Sequence, residues 1–209
     1  MNIIKESCVE TFEEAVIAEK NGANRIEICS DLHLDGLTPS RKLVLRIVKS
    51  LKIPTKVMIR PRSGDFCYNM QEIKEMLDDI SYFKSLDVFG VVFGVLNDDD
   101  TVNISLTNKL VDQADTLEVT FHKAIDSCDN ILDELRMIIQ NTKVASMLTS
   151  GGFNDAISGH ETIKEMIKIA GKNISIIIAG SVTKNNIVSL HKLIKGEEYH
   201  GRQIVDLLQ

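Results

Sequence analysis

The stretch Val57-Met58-Ile59-Arg60-Pro61-Arg62-Ser63-Gly64-Asp65-Phe66 decides the architecture. It opens as an apolar, β-branched run and closes in two arginines, a proline, a glycine and an aspartate. A buried strand that breaks into a charged loop is how α/β folds present a site, with packing along the strand and chemistry at its C-terminal end. Pro61 has no N–H for a sheet ladder, so the strand ends near Arg60. Gly64 permits a turn that a side chain would obstruct. Arg60 and Arg62 each offer a planar fork of donors suited to a carboxylate or phosphate. The plainer reading is a pair of structural salt bridges, for example to Asp65 and Glu27.

The same pattern recurs on both sides of this stretch. Ile3–Cys8 reads as a strand, and Thr11-Phe-Glu-Glu14 as a capping box that starts a helix to Asn21. Arg25–Cys29 alternates, with Arg25, Glu27 and Cys29 on one face and Ile26 and Ile28 on the other. A helix over Ser40–Leu51 leads to the strand Thr55–Arg60, and Asn69 caps a helix to about Ser85. Further strands are expected at Val88–Phe93, Leu117–His122, Val144–Leu148, Ile174–Ile178 and Tyr199–Gly201. The intervening helices fall near Ser105–Ala114, from Asp129 or Asn130 to Asn141, over Glu161–Ala170, and from a Thr183 cap to Ile194.

Regular β/α alternation gives a parallel sheet. About eight such units in 209 residues predict a small (β/α)8 barrel of the TIM type. The tail after Gly201 is too short for a long final helix, so the last unit is incomplete or closed by another subunit. The rival doubly wound sheet lacks a Gly-x-Gly-x-x-Gly after the first strand. No Pro/Gly/Ser-rich linker divides the chain, which reads as a single domain over residues 1–209.

A net charge of −6 argues against nucleic acid or an acidic membrane as a partner. No apolar stretch is long enough to span a bilayer, and the N-terminus lacks signal-peptide features. A cytoplasmic location with reduced thiols follows as the expectation. Cys8, Cys29, Cys67 and Cys128 contain no Cys-x-x-Cys pair.

In a barrel, the polar strand-end residues meet in one mouth. Glu6 and Glu27 are two nearby carboxylates, able to split their pKa values into acid and base, and for either residue singly the plainer role is to pair with Arg60. His122 can move protons or serve structure. Thr149, His200 and the amides around Gly151 and Gly180 join Arg60 and Arg62 as candidates for holding an anion. Cys8 and Cys29 end neighbouring strands about 4.8 Å apart. Two metal–thiolate bonds of ~2.3 Å span a similar distance, and soft Cu(I) favours sulfur. Buried cysteine is equally a common small core residue.

The residues Glu27-Ile-Cys29, Gly36-Leu-Thr-Pro-Ser40, Val57–Phe66, Gly90-Val-Val-Phe-Gly94, Val119-Thr-Phe-His122, Leu148-Thr-Ser-Gly-Gly152 and Tyr199-His-Gly201 together resemble the CutC-type copper-homeostasis family. The resemblance implies a small TIM-type barrel, a cytoplasmic homo-oligomer and a role in copper handling, with Cys8 and Cys29 at the positions of the proposed Cu(I) ligands. The chain departs from the family pattern at Asp35, at Ser63, in His122-Lys-Ala-Ile-Asp126 and in Ile178-Ala-Gly-Ser-Val182. The last change weakens an anion site at Gly180. Two functions stay open. One is Cu(I) binding by the cysteine pair. The other is an enzyme (lyase, isomerase or hydrolase type) acting on a small carboxylate or phosphate metabolite, with Arg60 and Arg62 as clamp, Glu6 or Glu27 as base and His122 as acid.

Overall fold

The computed structural model describes residues 3–207. Eight parallel strands close into a barrel in sequence order. They are β1 (Ile4–Val9), β2 (Arg25–Ile28), β3 (Thr55–Met58), β4 (Gly90–Phe93), β5 (Glu118–Phe121), β6 (Ser146–Thr149), β7 (Ser175–Ile178) and β8 (Glu198–Gly201). The helices α1 (Phe12–Lys20), α2 (Arg41–Ser50), α3 (Met70–Lys84), α4 (Ile104–Ala114), α5 (Ile131–Asn141), α6 (His160–Ala170) and α7 (Ile187–Ile194) connect them. No helix follows β8 among the described residues, so the (β/α)8 pattern ends one helix short. Instead, Gln203 pairs with Thr183, and Asn21 on the α1 side donates to the Asp206 carbonyl at 2.8 Å.

Local sequence accounts for most helix starts. The capping boxes at Thr11/Glu14 and Asn69/Glu72 both form. Thr183 does not cap α7. Its N–H donates to the Asn186 side chain, and the helix starts only at Ile187. Asn130 stands at the start of α5 without a side-chain cap bond.

Strand alternation sorts the two faces. Ile26, Ile28, Val57, Ile59, Val91, Phe93, Val119, Phe121, Met147, Ile176, Ile178 and Tyr199 join the main buried core with the helices. Each fully buried aliphatic or aromatic side chain contributes roughly 1.5–3 kcal/mol. The opposite faces fill the lumen, and their character is different. Arg25 pairs with Glu6 through Nε and with Glu198 through Nη2 at 2.5 Å. Lys56, fully buried, reaches Glu118 at 2.6 Å, Thr120 at 2.7 Å and Ser146 at 3.1 Å. Gly90 leaves room for the neighbouring strand, since a Cβ there would lie 2.3 Å from the Glu118 carbonyl oxygen.

Buried charges are costly unless paired, and removing one partner of a buried pair costs about 3–5 kcal/mol. Arg25→Ala removes the cation that Glu6 and Glu198 share. We expect it to lower unfolding free energy by about that amount, measured by urea denaturation. A loss below ~1 kcal/mol would show that the pairing carries little of the fold's stability.

Candidate metal and ligand site at the barrel mouth

The register of the first strands assembles the site. Cys8 pairs with Glu27 across β1/β2, and Glu6 pairs with His200 across β1/β8. The Cys29 N–H donates to the Val9 carbonyl at 2.9 Å, which carries Cys29 to the same rim. All five side chains point into the lumen. The Cys8 and Cys29 sulfurs are 3.6 Å apart. Glu27 Oε2 lies 3.4 Å from Cys29 Sγ and 3.6 Å from His200 Nε2. His200 Nδ1 is 2.9 Å from Glu6 Oε1. One donor atom each from Cys8, Glu27 and His200 fall within 4.8 Å of one another, a spacing that a metal ion can bridge. Glu27 Oε1 is buried without a hydrogen-bond partner among the described residues.

Electrostatics follow from burial and pairing. Burial pushes the Glu6 carboxyl up, but the His200 hydrogen bond and the charges of Arg25 and Lys56 outweigh it and hold the group well below the usual carboxylate range. Glu27 is raised, first by burial and then by Glu6, with His200 opposing. Burial disfavours the His200 cation, but Glu27, Cys8 and Glu6 around it raise its pKa well above that of a free imidazole. The Cys29 thiol is pushed well up by its hydrogen bond with Cys8 and by burial.

A cavity of about 520 Å³ opens above this cluster. Its wall includes Met58, Arg60, Phe66, His122, Lys123 and Leu148. Arg60 is buried and largely committed to structure. Nη1 donates to the Leu34 and Gly36 carbonyls at 2.8 and 3.2 Å, and Nη2 to Gly64 at 3.2 Å. It thus ties two mouth loops together. His122 is held by its N–H to the Phe93 carbonyl at 2.8 Å, and its Nδ1 accepts from the Ala124 N–H at 3.1 Å. Burial and the Arg60 charge lower its pKa to about 3. Gly94 makes the space for this ring, since a Cβ there would lie 2.4 Å from Nδ1.

Other expected site residues lie elsewhere. Arg62 is outside the cavity wall and is engaged by Glu72 at 2.7 Å and Asp65 at 2.8 Å, the latter a salt bridge foreseen as the plainer reading. Glu6 meets Arg25 rather than Arg60. Thr149 faces the helices, with Oγ1 at 3.9 Å from Met166 Sδ, and it donates to Asp126 at 2.5 Å. The glycine loop after β6 holds no open anion cradle. Asp126 already accepts from the Ser150 N–H at 2.9 Å, the Ser150 hydroxyl at 2.9 Å and the Gly152 N–H at 2.9 Å, while the Gly151 N–H donates to Thr149. Gly180 packs against Ser150 and Asp155 and does not line the cavity. Cys67 and Cys128 contact backbone carbonyls away from the cluster. Sequence reading passed over Lys56 and Met58, although both share the inward parity of Arg60.

The CutC family model matches residues 3–205. The chain belongs to the CutC family. A CutC family protein of Histophilus somni is 38% identical over 195 residues, covering 93% of this chain and 80% of that protein. The Dictyostelium discoideum copper homeostasis protein cutC homolog is 37% identical over 223 residues, with the same two coverages, 93% and 80%. The crystal structure of a CutC from Streptococcus agalactiae superposes with a TM-score of 0.92 at 26% identity, covering 97% of this chain and 100% of that one. Among the described residues of this CutC barrel, the Cys8/Glu27/His200 cluster is a constellation that could hold a metal.

The two histidines carry opposite pH signatures. His122 resists protonation when folded, so the unfolded chain binds the extra proton below about pH 6.5 and stability falls as pH drops towards 3. His200 gains its proton in the fold. Its contribution is present below the unfolded pKa and fades as pH rises through its raised folded value. Nitrogen-detected NMR at pH 7 should find His122 as the neutral Nε2–H tautomer and His200 as imidazolium. A protonated His122 or a neutral His200 at that pH contradicts this assignment.

Proposed function

We propose that this protein binds Cu(I) at Cys8 and Cys29, with His200 as the third donor, in a copper-handling role like the one the name of its Dictyostelium relative gives. The observation that carries the reading is the 3.6 Å sulfur–sulfur contact with an imidazole and a carboxylate beside it. Metal–thiolate bonds of about 2.3 Å join sulfurs 3.6 Å apart only at a bent angle of about 100°. A linear two-thiolate arrangement would need about 4.6 Å. The pair as it stands therefore favours a third ligand. His200 Nε2 faces the cluster, while its Nδ1 meets the Glu6 carboxylate, the carboxylate–histidine pairing that orients metal-binding imidazoles. Sulfur and imidazole donors suit a soft cation, and Glu27 is placed to take up a thiol proton.

Binding requires thiol and imidazolium protons to leave. Since Cys29 and His200 both hold their protons more tightly than usual, affinity should rise with pH between about 6 and 8. An anaerobic Cu(I) competition titration against a colorimetric chelator should give one tight equivalent in the wild type. Cys8→Ser with Cys29→Ser should abolish it, and Glu6→Gln should weaken it roughly 10- to 100-fold. Tight binding that survives the double substitution would remove the thiolate pair as the site.

A further inference from the structure

Two hydrogen-bond donors in the mouth cavity have no partner among the described residues, and copper binding uses neither. They are His122 Nε2 and Arg60 Nε. Because His122 Nδ1 accepts from the Ala124 N–H, the ring proton sits on Nε2 and that atom is a donor. Arg60 directs three of its five N–H groups to loop carbonyls, both on Nη1 and one on Nη2, which leaves Nε–H and one Nη2–H, and Nε is the buried nitrogen without a partner. Both groups border the same cavity and share one neighbour, Phe66. Its ring centroid is 5.0 Å from that of His122 and 5.1 Å from the Arg60 guanidinium carbon. The phenyl ring keeps this corner apolar, and Met58 and Leu148 add aliphatic wall to the same cavity. Buried donors without acceptors carry a desolvation cost, and buried polar groups in folded proteins are nearly always satisfied. Here the backbone ties on both residues hold the donors in place instead of letting them turn to water.

We propose that this wall of the cavity binds a small organic monocarboxylate, its oxygens accepting from His122 Nε2–H and Arg60 Nε–H and its apolar body lying against Phe66, Met58 and Leu148. The donor inventory selects the class. A phosphate dianion needs several converging donors, such as an arginine fork or a nest of amides. The Arg60 fork has three of its four terminal N–H groups on carbonyls, and the Ser150 and Gly152 amides are spent on Asp126. Asp35, Asp126 and Glu27 line the same cavity and oppose a second negative charge. One negative charge is favoured by the Arg60 guanidinium and by Lys123 at the rim. An apolar body matches walls that polar sugars would desolvate against poorly. A neutral imidazole is the right state for this task, since it remains a single fixed donor across the physiological range. Both donor atoms are buried, so a ligand reaches them only if the wall yields, and Phe66, beside both residues, follows the turn at Gly64, φ +91°.

The site shares no ligand with the copper cluster, so the two readings fail separately. The test titrates metal-free protein with butanoate and phenylacetate, with inorganic phosphate as the control anion. It follows the His122 imidazole N–H by NMR and affinity by calorimetry. The expected result is saturable carboxylate binding that shifts the His122 Nε2–H resonance. His122→Phe, which keeps the ring and removes the donor, should weaken it at least about tenfold, or ~1.4 kcal/mol. Cys8→Ser with Cys29→Ser should keep carboxylate binding while losing Cu(I). If His122→Phe does not fold, the wild-type resonance decides. No saturable carboxylate binding, binding that leaves the His122 resonance unmoved, or phosphate binding more tightly than either carboxylate would overturn the proposal.

Discussion

Two oxygens of one buried carboxylate join the structural and the chemical halves of this barrel. Glu6 gives Oε2 to Arg25 below and Oε1 to His200 above. Isolated in an apolar lumen, an ionised glutamate would be expelled or protonated. Here the surrounding cations keep it charged despite complete burial. The same pairing fixes the His200 ring and, through it, the side of the cluster that faces Cys8 and Glu27. A disturbance at Arg25 should therefore be felt at the thiols, although Arg25 touches neither.

The barrel keeps its two environments apart by strand parity. Outward faces are aliphatic and aromatic and stabilise the sheet against the helices. Inward faces hold ion pairs low in the lumen and donors or acceptors at the mouth, separated by small apolar clusters. Cys8, Cys29, Met58 and Val92 form one of these, and Leu148, Ile177 and Ala179 another. The cysteines thus belong to a local apolar patch and to a polar cluster at once. That dual membership holds the proton on Cys29, whose thiol is pushed up by its hydrogen bond with Cys8 and by burial, until something competes for the sulfur. A thiol in this state is an inert nucleophile yet a good partner for a soft cation.

How far the site could be read from sequence tracks where that parity holds. Period-two alternation placed Arg25 with Glu27 and Cys29, because the register inside a parallel ladder leaves no freedom. It failed where strands turn into loops. Arg62 is two residues beyond Arg60, so alternation would send both inward. Pro61 and Gly64 break the strand between and after them, and Arg62 folds back onto Asp65 and Glu72. Thr149 is polar and ends β6, which suggested the mouth, but it has the parity of Met147 and faces the helices. Lys56 was legible by the same rule and missed for another reason. A lysine in a strand usually marks solvent, and only the Glu118, Thr120 and Ser146 partners make its burial tolerable. The Asp126 carboxylate that fills the glycine loop could not be foreseen, because that contact joins two loops whose relative placement no local pattern encodes.

The mouth cavity that results has two chemically opposite walls. Along β1, β2 and β8 it offers lone pairs from two sulfurs and the unpartnered Glu27 oxygen, and from the His200 imidazole once its extra proton leaves. After β3 and β5 its wall holds the buried, unpartnered N–H groups of Arg60 and His122. A surface of acceptors attracts a cation, and a surface of donors attracts an anion. Placed in one cavity, a cation and an anion attract each other as well. Whatever binds one wall therefore improves the other, and linkage makes that help reciprocal. Such coupling needs no rearrangement of the barrel itself. It requires only that the two walls stay apart, and the barrel's closed ladder enforces this, since β5 lies across the lumen from β1 and the eight strands cannot slide past one another without breaking register.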